Sequence, residues 1–201
     1  MLSLPRSILS LSACAMLLTA VTPAYAGSRD ARPAAPSALT AVTCTIAGTG
    51  RFTNTTNGSQ GVTNLVPRDV DVTGTAEGSC LDLRIDRSAT GGHAIVKRSV
   101  SITGHLTDAT CLVASGHYTA TTAWTLDDNT TVTSSNTIDV VAGNFFEQVP
   151  GAGTVTSGLF AGAVVENNTI YPDLLQNAAA CATTAGLRSY DFATEVNVLQ
   201  V

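Results

Sequence analysis

From residue 43 onwards, the chain consists of short segments in which polar and apolar residues alternate. Residues 69–73 read Asp-Val-Asp-Val-Thr. Residues 81–86 place Leu81, Leu83 and Ile85 on one face and the charged residues between them on the other. A period of two is typical of a β-strand with one buried and one solvated face. Alternation and β-branched residues therefore predict strands over residues 43–52, 69–80, 81–86, 95–103, 118–126, 130–141, 153–165 and 190–199, with one helical turn over 173–182.

The number and shortness of these strands determine the predicted fold class. About eight or nine strands separated by Gly, Asn and Asp turns favour an antiparallel β-sandwich. Cys111, Trp124 and Cys181 have a spacing that resembles the Cys-Trp-Cys pattern of immunoglobulin domains, although Ala179 stands where those domains carry a tyrosine. We therefore predict an all-β, antiparallel sandwich of Greek-key or immunoglobulin-like architecture, formed by a single domain over residues 43–201.

The first 26 residues have the pattern of an export signal. One positive charge precedes a short apolar run, and Ala-Tyr-Ala at 24–26 is the small-x-small pattern that a signal peptidase reads. We expect cleavage before Gly27 and, since no later segment offers the roughly 20 apolar residues of a membrane span, release from the membrane. Lipidation of Cys14 is an open alternative, because residues 11–14 resemble a bacterial lipobox.

Residues 27–42 have a different composition from the strands that follow them. The segment is rich in Pro, Ala and Ser and has no periodic apolar pattern, so we predict a flexible leader. Such a segment can order in the groove of a partner or against a sheet edge. The candidate partner-binding residues of this leader are Arg29, Asp30, Arg32, Pro33 and Pro36.

Four cysteines follow the signal: Cys44, Cys80, Cys111 and Cys181. An even number in an exported chain, without clustered spacing or histidine partners, predicts two disulfides rather than zinc. Three connectivities are possible. A hairpin centred near residue 62 would place Cys44 opposite Cys80 and leave Cys111 to pair with Cys181.

Charge and motif content narrow the function classes. Only 12% of the residues are charged and the net charge is −5, which excludes the basic surface of a nucleic-acid-binding protein. His93, His105 and His117 are spaced by twelve residues, but no further ligand pattern accompanies them, and we interpret them as exposed. No nucleophile elbow or calcium loop is present. We therefore expect no catalytic residue, cofactor or metal site, and a protein that is not an enzyme.

Several short segments carry a resemblance to a known group of proteins. The chain resembles small secreted proteins of Streptomyces-type actinobacteria, which also favour Arg and Thr, and among these the adaptor subunit of umbrella toxin particles. The resemblance covers roughly residues 42–199 and implies a disulfide-bonded β-sandwich without catalysis, whose adaptor role links a lectin-bearing subunit to a toxin scaffold. The matching segments are residues 42–44 (Val-Thr-Cys), 79–81 (Ser-Cys-Leu), Trp124, 153–163 (Gly-Thr-Val-Thr-Ser-Gly-Leu-Phe-Ala-Gly-Ala) and 180–181 (Ala-Cys).

These observations together predict a secreted, non-enzymatic protein–protein interaction module. The expected partner is another secreted or cell-surface protein, as for an adaptor in a secreted multiprotein complex. Two alternatives remain open: an inhibitor of extracellular hydrolases, and a carbohydrate-binding or cell-surface protein.

Overall fold

The computed structural model describes residues 39–143 and 149–200, without the side chains of 140–143 and 149. The predicted export signal, Cys14 and the candidate partner-binding residues lie outside the described residues; these residues are Arg29, Asp30, Arg32, Pro33 and Pro36. Strand β1 already starts at Leu39, so residues 39–42 of the predicted leader pair with neighbouring strands.

The described residues form eight strands and one α-helix. In chain order the elements are β1 (Leu39–Asn54), β2 (Arg68–Asp82), β3 (Ile95–Ala109), β4 (Ala114–Leu126), β5 (Thr131–Gly143), β6 (Val149–Gly158), β7 (Val164–Ile170), α1 (Leu174–Cys181) and β8 (Ser189–Gln200), with a 3₁₀ turn at Ser88–Thr90.

The strands close into a barrel, and the predicted Greek-key or immunoglobulin-like sandwich is therefore wrong. Each strand pairs antiparallel with the next one along the chain, and β1 pairs with β8 over Leu39–Arg51. A sandwich has two sheets with free edges, whereas here one sheet closes on itself and its inward face encloses the core. Alternation along a strand is the same in both architectures, so the pattern could not distinguish them. The all-β class and the antiparallel strands are confirmed.

Both predicted disulfides are confirmed. Cys44 and Cys80 are register partners on β1 and β2, as the hairpin symmetry indicated, and their sulfurs are bonded. The second bond joins Cys111, between β3 and β4, to Cys181 at the end of α1. Both sulfurs of the second bond are fully buried. It therefore fastens the helix to the end of the barrel, which we call the helix end.

The opposite end, here the Arg84 end, is closed by a buried ion pair. Arg84 Nη2 lies 2.7 Å from Asp82 Oδ2, and the two side chains are 4% and 1% exposed. Burial opposes ionisation of Asp82, but hydrogen bonds from the Arg84 side chain and from the N–H groups of Ile95 and Arg84 outweigh it and lower its pKa. Phe160 lies under the Arg84 guanidinium at 5.4 Å.

This ion pair overturns the predicted orientation of residues 81–86. Leu81, Leu83 and Ile85, which the alternation assigned to the buried face, are 62%, 48% and 101% exposed. The charged residues Asp82 and Arg84 point inward instead, because their mutual hydrogen bonds compensate the cost of burying them.

Candidate functional site

The closed barrel encloses a cavity of about 100 Å³. Side chains from all eight strands contribute to its lining, since the inward residues of every strand point at the same central volume. The apolar part of the lining comprises Ile46, Phe52, Val72, Val100, Ile102, Leu106, Ala114, Ala120, Ile138, Phe192 and Val196. An eight-stranded barrel has just enough interior to be filled by side chains or to hold one small ligand.

Arg98 is the one charged side chain among the described residues that line this cavity. It is 3% exposed, and its guanidinium lies 5.3 Å from the ring centroid of Trp124, its register partner on β4. Nη2 donates a hydrogen bond of 3.2 Å to the Thr122 hydroxyl. Nε and Nη1 are buried without a hydrogen-bond partner among the described residues. The cavity therefore presents a positive charge with unused donors.

Burial changes the pKa of this arginine. Removal from water disfavours the charged guanidinium and lowers the pKa of Arg98 to about 10, while the neighbouring Tyr118 raises it slightly. A pKa of about 10 still leaves Arg98 protonated at neutral pH. The cationic group therefore stays charged in a mostly apolar environment.

Three tyrosines, Tyr118, Tyr171 and Tyr190, line the same cavity, and we call them the interior tyrosines. Burial raises the pKa of each of them, and for Tyr118 the charge of Arg98 and a hydrogen bond with Asn167 partly oppose that rise. All three therefore remain neutral at physiological pH. They add polar hydroxyl groups to the lining without adding charge.

The aromatic side of the lining depends on a glycine. Tyr190 stacks on Phe52 at 4.7 Å between centroids and meets Tyr171 edge-on at 5.5 Å. Gly50 is the register partner of Tyr190, and a Cβ atom at Gly50 would lie 2.2 Å from the Tyr190 ring. Only glycine leaves room for the tyrosine ring to lie against the β1 backbone at this point.

The lining is most exposed to solvent along β6 and β7. Pro150 is exposed, while Gly151, Asn167 and Thr169 are half-buried. The Asn167 side chain donates to the Thr169 hydroxyl at 3.1 Å. This polar, partly open side is the expected route between the cavity and solvent.

The three histidines do not converge. His105 and His117 are register partners on β3 and β4, and His105 Nδ1 lies 3.0 Å from Asp71 on the outer wall. His93 lies in the β2–β3 connection, with its ring nitrogens 2.7 Å from Asp127 and 3.4 Å from Asp128.

His93 and its two aspartates are the one group of described residues whose donor atoms come close enough to share a metal ion. The carboxylates are already hydrogen-bonded to the N–H groups of Ala94 and Thr130. These contacts give the three side chains a structural role, because they link the β2–β3 connection to the β4–β5 connection.

Sequence reasoning missed Arg98 although a signal was present. The predicted strand 95–103 alternates, and Arg98 is in phase with Val100 and Ile102, which line the interior. An arginine on the apolar face of an alternating strand is a candidate for a buried charge. The scarcity of charged residues led the interpretation towards solvated strand faces instead.

Comparison with protein-family models, with curated proteins and with solved structures gave no match. Within residues 39–143 and 149–200, no helix combines the length and apolar character that crossing a bilayer would require.

Proposed function

We propose that this protein is a binding protein that takes up a small, largely apolar molecule in the interior of its barrel. The cavity of about 100 Å³ inside the closed sheet is the observation that carries the proposal. Protein interiors are normally packed to the density of organic crystals, so a space of this size is unusual. Mostly apolar walls with a few placed polar groups are the usual lining of a ligand site.

The size of the cavity limits the size of the ligand. An engineered cavity of about 150 Å³ lined by aliphatic and aromatic side chains binds benzene. At the same packing, the roughly 100 Å³ of this barrel hold about four non-hydrogen atoms, and a larger ligand must extend towards β6 and β7.

Filling the cavity tests this proposal. Ala120 is fully buried and lines the cavity, so Ala120→Leu should occupy the ligand volume and abolish binding of small apolar fragments. Ala47→Leu makes the same change on the outer wall, where residue 47 is exposed, and should leave binding unchanged. Binding is followed by isothermal titration calorimetry. Equal fragment binding by the two variants, or none by the unmodified protein, would contradict the proposal.

A second candidate function is the interaction module expected from the sequence, including the adaptor role that the resemblance implies. Exposed apolar side chains at the helix end favour this second function. Hydrogen bonds join three connections there: Cys111 N donates to Thr63 O, and Asn64 N donates to Cys181 O. The exposed apolar residues of these connections are Leu65, Val66, Leu112, Val113, Leu174 and Leu175. Apolar side chains concentrated on one surface commonly mark a site of protein association.

Charge substitutions at the helix end test the second candidate. Leu175 is 89% exposed, so Leu175→Glu should not unfold the protein but should abolish co-purification with a partner from the native culture medium. Ile85→Glu is the matched control at the opposite end, where Ile85 is fully exposed. Unchanged co-purification of the Leu175 variant would exclude this surface.

The disulfides support an extracellular location as part of the proposal. Two bonded cysteine pairs are typical of proteins that fold in an oxidising compartment. Export itself is tested by secretion of the full-length chain and determination of the N-terminal residue of the released protein, expected at Gly27.

A further inference from the structure

The two buried arginines of this barrel differ in how their charge is compensated. Arg84 donates to both carboxylate oxygens of Asp82, at 2.9 and 2.7 Å, and to the Thr90 hydroxyl at 3.1 Å. Arg98 is more deeply buried, and its guanidinium makes one hydrogen bond with the described residues, to the Thr122 hydroxyl. Buried charges in proteins are normally paired, so the second arginine requires a separate explanation.

Among the described residues that line the cavity, none supplies a counter-charge for Arg98. The described lining of the cavity contains no Asp or Glu, and the phenol groups of the interior tyrosines stay neutral. The cavity is thus a positive site within a chain whose net charge is −5. A cation of this kind in a low-dielectric interior interacts strongly with any anion that enters.

We propose that the ligand of the barrel is a small organic acid whose carboxylate is bound by the guanidinium of Arg98. The inference rests on the proposed function, since it assigns the chemical class of the molecule that enters the cavity. It follows from three features together: a cavity inside the barrel, one nine-tenths-buried arginine in its wall, and two guanidinium nitrogens without hydrogen-bond partners among the described residues.

The geometry around Arg98 suits a carboxylate. The Trp124 ring on one side and the Thr122 hydroxyl at Nη2 hold the guanidinium in place. The N–H groups of Nε and Nη1 remain available, and a carboxylate oxygen is the acceptor that a guanidinium binds most strongly. Tyr118, which also lines the cavity and interacts electrostatically with Arg98, can donate its hydroxyl hydrogen to the same anion.

The apolar residues of the lining determine the character of the ligand beyond its carboxylate. Val100, Ile138 and Val196 are buried apolar side chains of the same cavity, so the part of the ligand beyond the carboxylate should be apolar. The volume limits this part to a few carbon atoms. A short acid of roughly four to five carbons, with its far end towards β6 and β7, fits this description better than a long-chain fatty acid.

Matched ligands test the inference on the full-length, disulfide-bonded protein. The probes are butyrate and its neutral counterparts butanamide and 1-butanol, with pentanoate and pentanamide as a second set. Trp124 is the only tryptophan of the chain, and its contact with Arg98 makes its fluorescence a reporter of changes at the guanidinium. Calorimetry gives the affinities independently of fluorescence.

The expected result is a preference for the acids that depends on Arg98. Each carboxylate should bind at least tenfold more tightly than its amide or alcohol, and Arg98→Met should remove that preference while leaving alcohol binding within twofold. Arg98→Lys keeps the charge and should retain part of the preference. Arg51→Met removes an exposed arginine from β1 and is the matched control for net charge.

Different outcomes separate the two proposals. If the neutral probes bind as tightly as the acids, or if Arg98→Met binds the acids unchanged, Arg98 is not the anion site, although the barrel still binds small molecules. If no probe of either kind binds, both proposals fail. Circular dichroism of the Arg98 variants establishes that a loss of binding is not a loss of fold.

Discussion

Replacing Arg98 by Met should leave the ligand-free protein about as stable as before, whereas the same change at Arg84 should destabilise it strongly. Burial lowers the pKa of Arg98 from its ordinary value to about 10, which corresponds to a cost of about 3 kcal/mol for keeping the charge inside. The cation–π contact with Trp124 recovers about 1–2 kcal/mol, and the hydrogen bond to Thr122 about 1 kcal/mol. The cost of burial and these two favourable contributions therefore nearly cancel.

The sign of the pH dependence follows from the same shift. A base whose pKa is lowered by folding binds its proton more readily in the unfolded chain. The cost is therefore present at every pH below about 10 and is relieved only as pH rises from there towards the pKa of an arginine in the unfolded chain. At pH 7 the cost of burying the charge applies in full, and the cation–π contact and the hydrogen bond nearly offset it. Arg98→Met should therefore change the free energy of unfolding by no more than about 1 kcal/mol.

Arg84→Met is the matched comparison because it removes a buried arginine of similar exposure that has a partner. The substitution leaves the Asp82 carboxylate, 1% exposed, without its main donor, while Arg87 Nε remains 3.5 Å from Oδ2. The expected cost is therefore about 3 kcal/mol, the lower end for a broken buried ion pair. Both free energies are measured by urea unfolding at pH 7, followed by far-ultraviolet circular dichroism. A loss of 3 kcal/mol or more for Arg98→Met would show that Arg98 is compensated in the ligand-free protein and would refute the reasoning.

Three further predictions concern the rest of the barrel. Replacing both Cys111 and Cys181 by Ala opens a loop with a sequence separation of 70 residues, and should lower the free energy of unfolding by about 4 kcal/mol in urea unfolding and increase hydrogen exchange in α1. The interior tyrosines have raised pKa values, so they stabilise the fold below pH 10, and this stabilisation is lost as pH rises above it. Most of the phenolate absorbance at 295 nm should therefore appear together with unfolding; because Tyr25 is the fourth tyrosine of the chain, an earlier titration of more than one tyrosine would contradict their burial. Gly50→Ala should displace the Tyr190 ring and weaken fragment binding at least tenfold by calorimetry, whereas Gly58→Ala, which meets only one side-chain atom at 3.8 Å, should have no effect.

Local patterning predicted the strands well because alternation depends only on neighbouring residues. β2, β3, β4 and β8 lie where period-two segments were expected, and the helical turn over 173–182 is α1. The predicted strand over 81–86 is wrong beyond Asp82, where β2 ends, and segment 153–165 contains the end of β6, a turn and the start of β7. The disulfide between Cys44 and Cys80 was also predictable, since a hairpin brings its own register partners together. The pairing of β1 with β8 was not, because contact between the two ends of the domain leaves no local signal in either strand.

The segment 81–86 shows why alternation alone does not determine which face is buried. Its three apolar and three charged positions alternate perfectly, and only the hydrogen bonds of Asp82 and Arg84 to groups elsewhere in the chain decide the orientation. Asp82 accepts from Ile95 N, and Arg84 donates to Thr90, both contributed by the following connection and strand. A sequence pattern contains no information on such partners, so the apolar residues were assigned to the wrong side.

The sequence pattern does not reveal the partners of Arg98 either, but these partners differ from those of Arg84. A buried charge has two stable outcomes: a partner within the protein, as at Arg84, or a partner that comes from outside. The described residues provide Arg98 with a hydroxyl and an aromatic ring but no anion, and they leave space beside it. Because an unpaired charge contributes little to folding, its presence at the wall of a cavity is better explained by what it binds than by what it stabilises.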